Sequence, residues 1–215
     1  MQSPRFRTTA LAVAAAVALP VTLGTLAPTA FADTASPSPS TSASASASSS
    51  ASMAPDDSKP FGPGCSALPK SGRGSVSEMA KEPVATALAH NPELSTLNKA
   101  VMKAGLSDTL DKAKDSTLFA PTDKAFDKLG KAQVDKLLKD TARLKKIISY
   151  HWVKEDVKPS QLHDGSFKTD EGGSLTTSGS GTSFKVNDKA KIDCGNLKTS
   201  NAKVYTVDEV LMPSS

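Results

Sequence analysis

The 215-residue chain has room for one domain of ordinary size or two small ones, with 38% hydrophobic, 22% charged and 5% aromatic residues. That composition excludes a membrane-spanning bundle and a wholly disordered chain. The net charge of +4 and the pI near 9.0 look basic. Without Arg5 and Arg7, which lie in a segment expected to be removed, 24 basic residues face 22 acidic ones, too small an excess for a nucleic-acid partner.

Residues 1–32 read as a signal peptide: a charged start, an apolar stretch from Ala10 to Leu26, and an Ala30-Phe31-Ala32 cleavage site. Pro20, Thr22, Gly24 and Thr25 interrupt the stretch, so a retained anchor is the weaker alternative and the mature chain is expected to carry no transmembrane segment. Residues 33–55 are almost entirely Ser, Ala, Thr and Pro, a disordered linker spanning about 26 Å as a flexible coil. The same composition permits an O-glycosylated stalk. A lead segment, 56–75, carries Cys65. Its partner by count is Cys194, because two cysteines in an exported chain point to one disulfide; a metal site would need further His or Cys ligands nearby. Leu68 to Gly72 has the form of a wall-sorting pentapeptide but stands too far from the carboxyl end, and reads as a loop beside Cys65.

Ser75 and Glu78 have capping-box spacing, predicting a short helix. Asn91, Pro92 and Gly105 bracket Leu94, Leu97, Val101 and Ala104 at helical spacing, with a cap, a first-turn proline and a left-handed stop. Asp108, Asp111 and Asp115 lack the glycine and glutamate of a calcium loop. A strand over Thr117–Ala120 meets Pro121, and Thr122 is placed to cap a turn carrying Phe126 and Leu129 inward. Further helices are predicted around Val134–Leu138 and Leu144–Ile148. After Tyr150 strands take over. A hairpin turns at Asn187–Lys189, between Phe184-Val186 and Ala190-Ile192-Cys194, with Cys194 pointing inward. The last β segments are predicted at Val204–Val207 and Val210–Met212. Helices before strands imply an α+β domain.

Particular blocks carry a resemblance. Thr117, Leu118, Phe119, Ala120, Pro121, Thr122, Asp123, Lys124, Ala125 and Phe126 read TLFAPTDKAF, similar to the first signature block of the fasciclin (FAS1) domain; Tyr150-His151 resembles its tyrosine-histidine motif, and NAKVYTVDEVLMP at 201–213, with Val210, Leu211 and Pro213, its closing block. FGPGCSALP at 61–69 and EPVATALAHNPELSTL at 82–97 further resemble mycobacterial secreted immunogenic proteins with a single fasciclin domain. The resemblance covers 76–213. It implies a fasciclin-like β-sandwich or wedge with helices packed on it, a paired Cys65 and Cys194, and a surface role in adhesion.

His151, between Tyr150 and Trp152, is expected to be a buried, hydrogen-bonded core residue, while His90 and His163 read as exposed loop residues. The G-x-S-x-G, H-E-x-x-H and phosphate-loop spacings do not occur, so catalysis is not expected and no cofactor is assigned. The expected function is a secreted or wall-associated binding module whose partner is a cell-surface or matrix protein or glycan. The alternative is a carrier holding an apolar ligand such as lipid between helices and sheet. Tyr150, His151, Lys154 and Leu162, with the 154–162 loop, form the candidate recognition edge.

Overall fold

The computed structural model describes residues 55–213, so the signal peptide and all but the last residue of the linker lie outside the described part. Among the described residues seven α-helices and seven strands are formed. The helices are α1 (Val76–Met79), α2 (Val84–His90), α3 (Ser95–Ala104), α4 (Ser107–Lys112), α5 (Asp123–Leu129), α6 (Lys131–Lys139) and α7 (Thr141–Tyr150). The strands are β1 (Ser116–Pro121), β2 (Trp152–Val153), β3 (Asp164–Lys168), β4 (Ser174–Ser180), β5 (Ser183–Val186), β6 (Ala190–Lys198) and β7 (Ala202–Val207).

The strands form one sheet in the order β2-β1-β7-β6-β5-β4-β3, in which only β1 and β7 run parallel. A bridge between Val153 and Thr169 brings the two edges together, so the sheet folds over on itself into a nearly closed wedge. Alternation along the strands builds two cores. Leu118 and Ala120 of β1, Trp152 of β2 and Val204 of β7 face the helices, against Leu97 and Val101 of α3 and Leu144 and Ile148 of α7. Phe119, Val153, Tyr205 and Val207 face the inside of the wedge with Phe61, Phe167 and Phe184. Each such large side chain contributes about 1.5–3 kcal/mol on burial, so the two clusters outweigh any single surface contact. The helices-then-strands order expected from the sequence is therefore an α+β wedge.

β6 passes between the two cores. Ile192 and Cys194 would share a face in an unbroken strand, but register shifts between Ile192 and Cys194 and between Cys194 and Leu197 turn Cys194 and Leu197 to the helix side. Cys194 is buried, as expected, though against the helices. It is joined to Cys65, 129 residues away, with Cα atoms 4.8 Å apart. Beside the bond, Phe61 and Gly195 exchange both backbone hydrogen bonds, at 3.2 and 2.8 Å. Gly195 has to be glycine, because a Cβ would sit within 3 Å of the Phe61 and Tyr205 rings. The lead segment is thus stitched to the sheet twice.

Several local expectations are corrected. Ser75 precedes α1, but its hydroxyl meets Ser77 at 3.2 Å and the reciprocal capping box does not form. Asn91 caps Glu93 N–H and Gly105 stops α3 at φ 65°, yet Pro92–Leu94 is a 3-10 turn that precedes the α-helix. The hairpin turns at Asn187 and Asp188, both at positive φ, where expected. Val210–Met212 is not a strand. Asp164 and Gly165 begin β3.

Candidate functional site

The signature residues of β1 and its exit point inward and tie distant segments together. Thr117 Oγ1 accepts the Val157 N–H at 2.9 Å and donates to the Glu155 carbonyl at 2.8 Å, holding the loop after β2. Phe119 stacks on Tyr205 with ring centroids 5.5 Å apart. Ala120 is fully buried, and Pro121 ends the ladder opposite Val207. Thr122 does not cap α5 through its side chain; its N–H donates to the Val207 carbonyl at 3.0 Å and its hydroxyl lies 3.4 Å from the same oxygen. Asp123 then reaches across to the start of α3, accepting from Ser95 Oγ and Thr96 N–H. Phe126 is buried and Leu129 half-buried on the helix side.

Tyr150 and His151 stand where α7 ends. The Tyr150 hydroxyl donates to the Ser174 carbonyl at 3.1 Å and accepts from Asn187 Nδ2 at 2.9 Å, so one phenol fixes β4 and the β5–β6 turn. His151 is 1% exposed. Its Nδ1 lies 2.9 Å from the Ile147 carbonyl, an acceptor, and its Nε2 lies 3.0 Å from the Leu211 N–H, a donor. Those partners select the neutral tautomer with the proton on Nδ1. Burial pushes its pKa down to about 4, against a smaller opposing effect of the Ile147 carbonyl. The bond from Leu211 explains why Val210–Met212 is not a strand: the N–H that would enter a ladder is spent on the imidazole. Leu211 is buried inside the wedge, Val210 is half-buried against the helix-side core, and Pro213 is half-buried at the end of the described chain.

The proposed recognition edge is not one surface. His151 and Leu162 are buried at 1% and 0%, so neither side chain is available to a partner. Leu162 belongs to a 3-10 turn, Pro159–Leu162, and is buried inside the wedge. Lys154 is exposed, 2.6 Å from Asp170 and 6.0 Å above the Trp152 ring. Tyr150 lines a separate cavity of about 510 Å³ with Thr176, Asn187, Lys189, Glu209 and Met212. His163 is exposed, whereas His90, the last residue of α2, is half-buried with Nδ1 2.8 Å from Glu82 Oε2.

Residues to which the sequence reading assigned no individual role complete the frame. Asn201 Oδ1 accepts the Val84 N–H, and its Nδ2 faces the carbonyls of Leu110, Asp111 and Ala113 at 2.7, 3.2 and 2.9 Å. Asp111 Oδ1 accepts the Ala85 N–H, so the open start of α2 is capped from two remote places. Tyr205 Oη donates to the Val157 carbonyl at 2.9 Å, and burial pushes its pKa up. Among the described residues no group of three His, Cys, Asp or Glu could hold a metal. Nor is any described helix long and apolar enough to cross a membrane.

The Fasciclin domain family model matches residues 92–213. Over 170 residues the chain is 41% identical to the cell surface glycolipoprotein MPB83 of Mycobacterium bovis, covering 75% of this chain and 76% of the relative. It is 40% identical to the immunogenic protein MPB70 of Mycobacterium bovis over 160 residues, covering 71% and 81%. Among solved structures, a FAS1 domain pair from the insect cell adhesion molecule Fasciclin I shares the fold, with a TM-score of 0.53, 18% identity, 62% of this chain and 52% of that chain. From the Thr117–Phe126 block, through Tyr150-His151, to the closing segment at Pro213, the chain belongs to the fasciclin domain family.

Proposed function

We propose that the chain is a secreted, non-enzymatic binding module acting at the cell surface or envelope through its exterior. The observation that carries this reading is the inward engagement of the family motif: Thr117, Thr122 and His151 spend their polar atoms on the backbone of Val157, Glu155, Val207, Ile147 and Leu211. Groups so committed shape the domain and are not free to act on a substrate. The cell-surface name of MPB83 supports the location, and the adhesion-molecule origin of the FAS1 pair supports adhesion or envelope association. The export signal at 1–32, the linker at 33–55 and a domain over 76–213 belong to the same proposal.

The contact face is redrawn around Tyr150. Lys189, Thr176 and Met212 are exposed around its cavity, while His151 stands behind it and fixes Leu211. A carrier holding lipid between helices and sheet is the less favoured reading, because that interface is filled by Leu94, Leu97, Leu118, Leu144, Ile148 and Val204. Binding of the mature chain to isolated envelope fractions, compared with Lys189→Glu and Met212→Glu, tests the proposal. Saturable binding that weakens at least about tenfold in the variants at unchanged Tm is expected. Absence of binding, or a lipid retained in native mass spectra, would refute it.

A further inference from the structure

A second cleft, which shares no lining residue with the Tyr150 cavity, lies between the end of α4 and the β1–β2 edge. Its volume is about 430 Å³, and Lys112, Lys114, Lys154, Asp108, Ser116 and Trp152 line it. Ser116 precedes Leu118 by two on β1, and Trp152 pairs with Leu118, so both belong to the helix-facing side of the sheet. Ser116 Oγ and Trp152 Nε1 are buried, and neither has a hydrogen-bond partner in the protein. Their side chains are 2% and 4% exposed. Leaving such groups unmet is costly, and a molecule that met them from the cleft would recover that cost.

Charge says what kind of molecule. Three lysines face one aspartate, and Lys112 and Lys114 form no ion pair among the described residues. Lys154 is drawn to Asp170, which holds it over the indole ring. Lys114 also lines a neighbouring cavity of about 500 Å³ with Asp115, Asp156 and Asn201. An occupant therefore has an anionic group for the lysine pair and hydroxyl oxygens for the indole N–H and the serine. Sugar units bearing a carboxylate or phosphate combine these properties.

We propose that this cleft binds an anionic saccharide: Lys112 and Lys114 hold the charged group, and Trp152 Nε1–H and Ser116 Oγ meet ring oxygens. The site is separate from the Tyr150 face, so either can fail while the other stands. Trp152 is the only tryptophan, which gives the 15N-labelled mature chain a single indole N–H signal. The probes are glucuronate, glucose 1-phosphate, neutral methyl glucoside and inorganic phosphate, each titrated to about 10 mM, ten times a millimolar Kd. A saturable indole shift with either acidic sugar, weakened about tenfold or more in Lys112→Gln/Lys114→Gln and unaltered in Lys136→Gln, is expected. Which acidic sugar acts identifies the anionic group. No shift with either sugar overturns the proposal. So does an equal shift with inorganic phosphate, which means an adventitious ion only, an equal shift with methyl glucoside, or an unchanged Kd in the lysine variant.

Discussion

Replacing both bridged cysteines by alanine, Cys65→Ala with Cys194→Ala, separates what the disulfide does to the unfolded chain from what it does to the folded one. The bond closes 129 residues. On the chain-entropy relation, a loop of that length restricts the unfolded ensemble by about 5 kcal/mol. With an unfolding entropy of roughly 2 cal/mol/K per residue for a domain of about 150 residues, the loss lowers Tm by about 15 °C. With a urea slope of about 2.5 kcal/mol/M, the midpoint moves down by about 2 M. The folded state should change little, because Phe61 remains buried against Phe184 and Tyr205 and keeps its paired bonds with Gly195. Urea titration measures the first effect. Hydrogen exchange at the Gly195 amide, which donates to the Phe61 carbonyl at 2.8 Å, measures the second. A stability loss under about 1 kcal/mol refutes the entropic assignment. Exchange at Gly195 as fast as in a free peptide shows instead that the bond itself holds the lead segment in place.

Asn201→Ala leaves three carbonyls and the Val84 N–H without their shared partner, and a loss of about 2–3 kcal/mol in urea is expected; a change under about 0.5 kcal/mol means that water replaces the amide. Thr117→Val keeps the shape but strips the Val157 N–H and Glu155 carbonyl of their hydroxyl, which should lower stability by about 2 kcal/mol while Thr117→Ser restores most of it. Tyr150→Phe should lower stability by about 1 kcal/mol and speed amide exchange at Thr176, whose N–H is held by the Asn187 side chain that Tyr150 orients.

Local punctuation made part of this fold legible. Gly105 takes the left-handed stop its position demanded, and the alternation of Phe184, Val186, Ala190 and Ile192 around Asn187-Asp188 specifies a hairpin without help from elsewhere. β4 was hidden because its inward positions are Leu175 and Thr177, and a buried threonine breaks the apolar alternation. α2 was hidden because its capping partners, Asn201 and Asp111, are 117 and 26 residues away. α4 presents one inward residue, Leu110, too few to show a period.

At the site, the burial of His151 followed from its apolar neighbours, but its bond to Leu211 spans 60 residues and has no local trace. The error over Leu162 has a general cause: a loop between strands was equated with exposure, whereas Pro159 and Leu162 are buried in their 3-10 turn and Leu162 joins the core that holds Tyr205. The unpartnered indole of Trp152 arises from the meeting of β2 with α4, which no spacing within either segment reveals.

The central claim is that the family motif builds the domain and leaves function to the surface, and the protonation of His151 tests it most directly. The folded-state pKa near 4 lies below the ordinary 6.5, so between these values the unfolded chain binds the extra proton. Stability should therefore rise with pH across that window and be lost as pH falls through it, by about 3 kcal/mol in all. A proton on Nε2 would also set a donor against the Leu211 N–H and release the closing segment. Nitrogen chemical shifts of the imidazole, followed through an acid titration, report both pKa and tautomer. The account predicts a neutral ring protonated on Nδ1 down to about pH 5; titration near the ordinary histidine value, or a proton on Nε2 at neutral pH, would contradict it.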